Sequence, residues 1–313
     1  MFDHSLSISE EIKSICMDHG FSLVGFAPAK LPEADLKNIQ AWIAEGRHGS
    51  MEWFAKETAQ GIRFAFLHLG FVPKTAITLA FVYRSESSES LVSQMQKKVS
   101  RYALGDDYHQ VLRKKGKSII RILKSKYPNH HFRQSVDSLP IAEKVLAVES
   151  GIGWRGKNTN TIHRDLGSYF FISVILTDLE FSFPNVTKTD HCGTCRLCID
   201  SCPTGALEPY KIDSRKCISY QTIEDRGSSE LENKGTHSWV YGCDICQEVC
   251  PWNERVAKRN QVETTESSFL PNSLWTDPNF LNHSNLSAEE FGSYFKGSAI
   301  ERIGVDVWNR NWE

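Results

Sequence analysis

The chain has 313 residues, of which 40% are hydrophobic and 24% are charged, and its formal net charge is −2. This length allows more than one domain, and the charge excludes a protein whose whole surface attracts nucleic acid. The N-terminus lacks the basic and apolar pattern of an export signal. No segment approaches the roughly 18 uninterrupted apolar residues of a membrane helix. We therefore expect a cytoplasmic protein with no membrane partner.

Helices and strands alternate in the first part of the chain. The patterns predict, in order, a helix at 8–18 capped by Ser7 or Ser9, a strand at 21–27, a helix at 32–45, a strand at 75–83, helices at 91–100, 111–126 and 140–149, and a strand at 169–177. This mixture predicts an α/β or α+β body, and we assign the whole chain to the α+β class. We expect three parts: 1–185 as the body, 186–258 as a cysteine-rich module and 259–313 as a short helical segment.

Eight of the nine cysteines lie between Cys192 and Cys250. The first run has the spacing C-x2-C-x2-C-x3-C-P of bacterial ferredoxins. The second run, which begins at Cys243, has the same pattern without its first cysteine, and Cys217 stands upstream as the replacement. Eight thiolates are enough for two 4Fe-4S clusters, so the spacing predicts a ferredoxin-like module.

In such modules the fourth cysteine of one run binds the other cluster. The first cysteine set is therefore predicted to be Cys192, Cys195, Cys198 and Cys250, and the second cysteine set to be Cys202, Cys217, Cys243 and Cys246. A zinc site and a disulfide framework are the alternatives. Zinc usually pairs C-x2-C with another such pair or with histidines, and disulfides are rare in the cytosol. We expect the ninth cysteine, Cys16, to be a small core residue.

The segment 151–156 matches the pattern G-x-G-x-x-G of dinucleotide-binding proteins. That pattern must follow a strand and open a helix, whereas here a predicted helix precedes it and a polar loop follows. We therefore reject a dinucleotide site and expect these glycines to permit a turn and a close backbone approach.

A basic segment at 113–126 contains seven Lys and Arg residues and no acidic residue. On a helix, four of its cations share one face, and we call them the basic stripe: Lys114, Lys117, Arg121 and Lys124. The stripe is either a solvated helix face or a surface that contacts nucleic-acid phosphates. The sequence alone leaves both interpretations open.

Several segments together resemble the epoxyqueuosine reductase family, whose members are cobalamin-dependent, two-cluster enzymes of tRNA modification. The matching segments are 101–109 (RYALGDDYH), 136–143 (VDSLPIAE), 151–159 (GIGWRGKNT), both cysteine runs, 216–224 (KCISYQTIE) and 299–304 (AIERIG). Their order covers almost the whole chain. The resemblance implies a cobalamin-binding body and reduction of epoxyqueuosine, at the wobble position of tRNA, to queuosine. Electrons would come from an external donor through both clusters to cobalamin, and the enzyme would act as a monomer.

The resemblance also implies the roles of individual residues. The proton donor to the leaving oxygen would be Asp137, and cobalamin would contact Arg63, Asp137, Lys157, Asn158 and Ser219. To be protonated, Asp137 requires that burial against the corrin raise its pKa more than the helix predicted to begin near residue 140 lowers it. Without the resemblance, Asp137 would be interpreted as part of a helix cap.

Cobalamin is expected in its base-off form without a histidine ligand, because Leu112 stands where the common D-x-H-x-x-G motif needs glycine. The basic stripe would contact tRNA phosphates outside the anticodon loop. Two alternatives remain: a cobalamin and iron–sulfur reductase of a small molecule, such as a reductive dehalogenase, and a non-catalytic iron–sulfur electron carrier.

Overall fold

The computed structural model describes residues 4–67, 69–183, 185–227, 237–260, 262–277, 280 and 285–313. Their α-helices are α1 (His4–Asp18), α2 (Glu33–Ala44), α3 (Glu57–Ala65), α4 (Glu86–Gln94), α5 (Tyr108–Lys126), α6 (Glu143–Glu149), α7 (Leu197–Asp200), α8 (Ile218–Ile223), α9 (Ile245–Glu248), α10 (Pro251–Arg255), α11 (Ala288–Phe295) and α12 (Gly304–Trp312). Their strands are β1 (Leu23–Pro28), β2 (Thr75–Val82), β3 (Lys98–Val99), β4 (Phe132–Ser135), β5 (Trp154–Arg155), β6 (Thr161–Ile162), β7 (Phe170–Thr177), β8 (Leu207–Glu208), β9 (Lys211–Ile212) and β10 (Trp239–Tyr241). None of the helices in these ranges could cross a membrane.

A four-stranded antiparallel sheet with the order β1-β2-β7-β4 forms the centre of the body. Every residue of β2 is buried. Ile77 and Leu79 pack against α1 and α5 on one face, while Ala76 packs against α6 on the other. Helices therefore cover both faces, which explains why β2 has a continuous apolar sequence. The antiparallel sheet with helices around it confirms the α+β class.

Three predicted helix boundaries are wrong. Helix α1 begins at His4, so neither Ser7 nor Ser9 can be its N-cap. The helix predicted at 91–100 is α4, which starts earlier because Ser85 and Ser88 form a capping box, and which ends before β3 pairs with β10. The helix predicted at 140–149 begins only at Glu143, so Asp137 lies in the loop before it and does not cap it.

The C-terminal helices pack against the cysteine module. Phe295 and Trp308 are buried in one apolar cluster with residues of α8 and β10. The guanidinium of Arg310 donates to the carbonyl oxygens of Gln221 (2.7 Å) and Asp225 (2.9 Å), which satisfies the end of α8. The predicted helical C-terminus is confirmed, and its packing fixes the position of α8.

The glycine pattern at 151–156 follows α6 and contains β5, the first strand of a hairpin with β6. A Cβ atom on Gly153 would lie 2.2 Å from the carbonyl oxygen of Ile162, so only glycine permits this approach. The prediction of a close backbone contact is therefore confirmed. The prediction for Cys16 is also confirmed, since its side chain is fully buried in the core between α1 and the sheet.

Candidate active site

Eight cysteines lie around two cavities. The first cysteine set lines the smaller cavity, of about 240 Å³, and the second cysteine set lines the larger cavity, of about 480 Å³. The sets are crossed, because Cys202 of the first run lines the larger cavity and Cys250 of the second run lines the smaller one. The structure thus brings together the cysteines of each predicted set. Iron binding by these individual thiols stays a prediction.

Short helices present these thiols. Helices α7 and α9 are single turns that follow Arg196 and Asp244, and each carries a cysteine of its run. In the second run, Cys250 is the N-cap of α10 and Pro251 is its first residue. Proline suits that position because its missing N–H would have no partner within the helix. The Cys-Pro pair therefore leads the chain directly into α10, whose first two residues, Pro251 and Trp252, also line the smaller cavity.

The thiols have the chemistry that clusters require. All nine cysteines are free, and no three His, Cys, Asp or Glu side chains in the described ranges converge on a point that could hold a single metal ion. Burial raises the pKa of Cys243 and Cys246, and it raises the pKa of Cys198 to about 11. A coordinated metal deprotonates such thiols, so cluster binding would offset the desolvation of these groups.

Asp137 lies in the loop between β4 and α6, in the left-handed conformation with φ of 49°. Its backbone N–H donates to the carboxylate of Glu143, at 3.0 and 3.2 Å, and the hydroxyl of Ser135 donates to the same carboxylate at 2.6 Å. A non-glycine residue keeps such a conformation only when its surroundings hold it there. Glu143 therefore fixes the loop that carries Asp137.

The first turn of α5 contacts the carboxylate of Asp137. The hydroxyl of Tyr108 donates to its Oδ2 at 2.9 Å, and Nε2 of His109 lies 3.8 Å from the same oxygen. Asp107, the N-cap of α5, accepts from the backbone N–H of His109 (2.9 Å) and contacts the ring Nδ1 (2.7 Å). The ring of Tyr108 is stacked between His109 and Phe171, with centroids 4.0 and 4.3 Å away. These contacts hold both side chains rigidly beside Asp137.

The pKa of Asp137 depends on burial and on its neighbours. The side chain of Asp137 is 71% exposed, but its exposed surface faces the larger cavity. Burial within the walls of that cavity favours a raised pKa, yet the contact with His109 and the hydrogen bond from Tyr108 outweigh it, and the pKa of Asp137 lies below its usual value. In the protein alone, burial therefore does not raise the pKa of Asp137, and the expectation that burial against the corrin raises it stays a prediction.

Two neighbours of Asp137 carry protons instead. Burial would lower the pKa of His109, but its contacts with Asp107 and Asp137 outweigh burial and raise the pKa to about 9. Burial, followed by the nearby charge of Asp137, raises the pKa of Glu143 to about 8. At neutral pH the group therefore holds two protons beside an ionised Asp137.

Some of the predicted cofactor contacts lie at the larger cavity. Asp137, Asn158 and Ser219 line it together with the second cysteine set. Asn158 is buried, and its amide donates to the carbonyl oxygen of Cys246 at 3.2 Å. Lys144 also lines the cavity and donates to Oδ1 of Asn160 at 2.9 Å. The side chain of Lys144 is exposed to the cavity, and desolvation by the surrounding walls lowers the pKa of its ammonium.

The structure places the other two predicted contacts elsewhere. Lys157 lines the smaller cavity, where its ammonium donates to the carbonyl oxygens of Gly193 (2.6 Å) and Cys195 (2.9 Å). Arg63 is 3% exposed beneath Phe54, with its guanidinium carbon 4.6 Å from the ring centroid, and it is not among the residues that line either cavity. The structure thus brings Asp137, Asn158 and Ser219 together at the larger cavity. Asn158 also lines the smaller cavity beside Lys157, and Arg63 lines neither.

Four residues at this site were missing from the predicted list: Tyr108, His109, Glu143 and Lys144. Tyr108 and His109 belong to the RYALGDDYH segment, and Glu143 ends the VDSLPIAE segment. Their presence in those segments was the available signal. Their convergence on Asp137 depends on the packing of α5 against the sheet, which spacing along the chain does not reveal.

The basic stripe lies on the solvent side of α5, whose opposite face buries Leu112, Gly116, Ile119 and Leu123. All four cations of the stripe are exposed. Two other cations of the same segment make ion pairs instead, Lys115 with Glu266 (2.7 Å) and Lys126 with Glu11 (2.6 Å). Helix α5 begins beside Asp137, whose carboxylate Tyr108 contacts, and it rises about 1.5 Å per residue, so the stripe extends outward from the candidate active site.

Comparisons with known proteins agree with this arrangement. Residues 191–253 match a family model for a "4Fe-4S double cluster binding domain", and residues 63–138 match the model "Epoxyqueuosine reductase QueG, DUF1730". The epoxyqueuosine reductase of Atelocyanobacterium thalassa is 37% identical over 98% of both chains. That of Escherichia coli is 36% identical over 97% of this chain and 79% of its own.

This chain belongs to the epoxyqueuosine reductase family. It is therefore an oxidoreductase, and its double-cluster domain supports two 4Fe-4S clusters. The structure of the Streptococcus thermophilus epoxyqueuosine reductase superimposes with a TM-score of 0.76 at 27% identity, over 97% of this chain and 80% of that one. An epoxyqueuosine reductase with an epoxyqueuosine-modified tRNA-Tyr stem loop superimposes with a TM-score of 0.81 at 25% identity, over 98% and 80%. This family membership favours neither of the two alternative functions.

Proposed function

We propose that this protein reduces epoxyqueuosine, at the wobble position of tRNA, to queuosine. The observation that carries the proposal is the larger cavity, in which Asp137 and the second cysteine set line the same space in a chain of the epoxyqueuosine reductase family. An acid and an electron source beside one cavity suit the reductive removal of an epoxide oxygen. The reaction adds two electrons and two protons to the epoxide, breaks both C–O bonds, and leaves a C=C bond and water.

We propose base-off cobalamin as the resident cofactor of the larger cavity. When bound, cobalamin supplies a low-valent cobalt that attacks or reduces an unactivated carbon. The residues present fit part of such a group, because Asn158, Ser219 and Lys144 offer polar groups at the wall of the larger cavity. No histidine is among the described residues that line it, which suits binding without an imidazole ligand. Arg63 and Lys157 remain proposed contacts for parts of the cofactor that extend beyond this space.

Asp137 is the proposed proton donor to the epoxide oxygen. Its loop is held by Glu143, and its Oδ2 is held by the hydroxyl of Tyr108, so the carboxyl group has a defined direction into the cavity. A carboxyl group in a site closed by cofactor and substrate loses more water, which favours its neutral form. We infer that Asp137 becomes protonated when the cavity is filled.

Electrons are proposed to enter at the first cluster and leave from the second. The first cysteine set lies near the surface, where Leu197, between two of its cysteines, is 48% exposed. The second cysteine set lines the cavity that contains Asp137. An external one-electron donor would therefore reduce the first cluster, and the second cluster would pass single electrons to the cofactor.

The basic stripe is proposed to contact tRNA phosphates while the wobble base enters the larger cavity. Because the substrate is tRNA, we propose that the protein works in the cytoplasm. It would act as a monomer, since the residues of one chain line both cavities. We retain 1–185, 186–258 and 259–313 as the proposed cobalamin-binding, cluster-binding and C-terminal parts.

The decisive experiment offers the anaerobically purified protein a tRNA that carries epoxyqueuosine, together with cobalamin and a low-potential electron donor. Nucleoside analysis should show queuosine, and the spectrum of the protein should show bound corrinoid. The same tRNA without the modification is the control for the product signal. Reduction of a halogenated aromatic compound but not of the tRNA would indicate the small-molecule reductase, and absence of any bound corrinoid would indicate the electron carrier.

A further inference from the structure

The proposed reaction needs more protons than Asp137 holds. Removing an epoxide oxygen as water consumes two protons, one when the first C–O bond breaks and one when the hydroxyl leaves. A single carboxyl group delivers one proton and must then be reloaded. Because this step takes place in a cavity that cofactor and substrate would close, the second proton should come from a group already beside Asp137.

The geometry points to one such group. Nε2 of His109 lies 3.8 Å from Oδ2 of Asp137, an ion-pair distance that a small ring rotation would shorten to a hydrogen bond. Hydrogen bonds of this kind are often long before substrate is bound. On the other side of the ring, Asp107 contacts Nδ1 at 2.7 Å. Since Asp107 accepts the Nδ1 proton, it leaves Nε2 as the nitrogen that exchanges a proton with Asp137.

Every element packed around His109 contributes a charged or titratable group. The cap of α5 provides Asp107, the loop before α6 provides Asp137, and α6 provides Glu143. Tyr108 stacks on the ring at 4.0 Å. Arg302, in the C-terminal part, acts on Asp137 from a greater distance and ion-pairs with Glu224 at 2.9 Å. Asp107 and Asp137 thus contact the imidazole and Glu143 acts on it by charge, while Arg302 is paired with Glu224.

We infer that His109 stores the second proton and passes it to Asp137, so that Asp107, His109 and Asp137 form a proton relay. Asp137 gives its proton to the epoxide oxygen and becomes a carboxylate. The imidazolium of His109 then transfers its Nε2 proton to Oδ2 of Asp137 and becomes neutral. Asp137 gives this proton to the leaving hydroxyl, which departs as water. The two electrons come from the external one-electron donor through the clusters.

This relay rests on the proposed function, and the protonation states agree with it. Before the cavity is filled, His109, whose pKa is raised to about 9, is protonated at neutral pH and Asp137 is ionised. Asp137 takes up the first proton when the cavity is filled, as proposed above, and His109 already holds the second. His109 acts through Asp137 and does not touch the substrate, so it is a positioning and proton-storing residue.

The first test measures the ring of His109 directly and needs no substrate. Nuclear magnetic resonance of protein labelled with ¹⁵N-histidine, with His109→Gln to assign the signal, should give the ring a pKa above the ordinary value for histidine. Asp137→Asn should lower that pKa by about one unit or more, because an adjacent carboxylate is lost. Asp107→Asn should also lower it, and it keeps the helix cap because Asn caps as well as Asp. If the ring has the ordinary pKa of histidine and neither substitution changes that pKa, the relay is wrong.

The second test uses single turnover of pre-reduced enzyme with epoxyqueuosine tRNA between pH 6 and 10. The wild-type rate should stay level and fall above about pH 9, as His109 loses its proton. In His109→Gln and His109→Asn the single-turnover rate should begin to fall already below pH 7, because no second proton is stored beside Asp137. At pH 8 this rate should be about tenfold or more below that of the wild type. His131→Gln is the matched control, since that ring is exposed and pairs with Asp178.

The two tests separate the relay from the function on which it depends. A wild-type enzyme that makes no queuosine at pH 7 contradicts the proposed function, and it thereby contradicts the relay, which depends on that function. A wild-type enzyme that makes queuosine, together with His109 variants that retain its pH profile and bind the same iron, contradicts the relay alone.

Discussion

The two cysteine-lined cavities derive from nearly the same sequence motif, but different side chains surround them. Around the smaller cavity, His191 lies against the rings of Trp154 and Trp252, at 4.7 and 5.7 Å, and Lys157 binds backbone carbonyls of the first run. The larger cavity instead has carboxyl groups at its wall, among them Asp137. One motif therefore serves two environments, and among the residues that the structure describes only the larger cavity is lined by acids.

This difference indicates that the two proposed clusters have different roles. A cluster that only passes electrons needs insulation and access to a donor, and apolar rings with a partly exposed Leu197 suit that task. A cluster that serves a reaction needs proton donors within reach of the same space. The neighbours contributed by the body, and not the cysteine spacing, distinguish the two sites.

The largest effect on iron content and turnover is expected from replacing a cysteine of either set, because the two sets exchange their fourth ligands. Cys202→Ala should destroy the second cluster, although this residue belongs to the first run, whereas Cys195→Ala should destroy the first cluster. Each variant should lose about half of its iron and all of its turnover. Electron paramagnetic resonance of the reduced proteins identifies which cluster remains, and Cys16→Ala is the control because this thiol lies in the core. If both variants lose the same cluster, the cysteine sets are assigned wrongly.

Replacing the acid tests the larger cavity next. Asp137→Asn keeps the shape of the side chain and can keep the hydrogen bond from Tyr108, but it carries no carboxylic proton. Single turnover should fall by about two orders of magnitude or more, the usual worth of general acid catalysis. Iron and corrinoid content should remain those of the wild type. Asp18→Asn, at the exposed end of α1, is the control, and near wild-type turnover of Asp137→Asn would exclude Asp137 as the donor.

The sequence predicted three strands of the central sheet well, because each has an apolar run that is buried along its length, but it missed the fourth, β4 (Phe132–Ser135). The strand predicted at 75–83 is β2 (Thr75–Val82), and the strand predicted at 169–177 is β7 (Phe170–Thr177). Helix starts were predicted less well because they depend on local hydrogen bonds. The chain between residues 136 and 142 forms a loop since Ser135 and Glu143 hold it, and no periodicity reports such contacts.

At the candidate site, the sequence predicted the features that depend on residues close together in the chain. It did not predict the features that depend on contacts between distant segments. The cysteine sets could be proposed from spacing because the ligands of one run lie within a few residues of each other. The protonation state of Asp137 could not be predicted in this way, because His109 and Tyr108, which lower its pKa, lie on α5, 28 and 29 residues earlier in the chain. Where the resemblance supplied cofactor contacts, the structure placed Lys157 and Arg63 outside the larger cavity.

A smaller effect, outside both cavities, is expected from the basic stripe. Changing Lys114, Lys117, Arg121 and Lys124 together to Ala should weaken tRNA binding and flatten its dependence on salt, by up to about one unit of slope per lost phosphate contact. Both clusters should be unaffected, because these side chains are exposed on α5. Binding is measured by fluorescence anisotropy over a range of salt concentrations.

The matched control for the stripe removes the same charge elsewhere. Lys30, Lys37, Lys56 and Lys74 are all exposed, and their joint replacement by Ala changes the net charge equally. If the two quadruple variants weaken binding to the same extent, only the total charge matters. Unchanged salt dependence in the stripe variant would show that the stripe is a solvated helix face.

The smallest effect concerns Lys157 and sharpens the comparison of the two cavities. Its ammonium lies against the carbonyls of Gly193 and Cys195, and a nearby cation favours the reduced, more negative cluster. Lys157→Met should therefore lower the midpoint potential of the first cluster, on the order of tens of millivolts, and change the second much less. Lys157→Arg retains the charge and should retain most of the potential, while Lys37→Met on α2 is a control for loss of an exposed cation. Redox titration followed by electron paramagnetic resonance resolves the two clusters. Loss of bound corrinoid in Lys157→Met with both potentials unchanged would instead assign Lys157 to the cofactor, so this single variant distinguishes a residue of the smaller cavity from a contact that reaches across to the larger one.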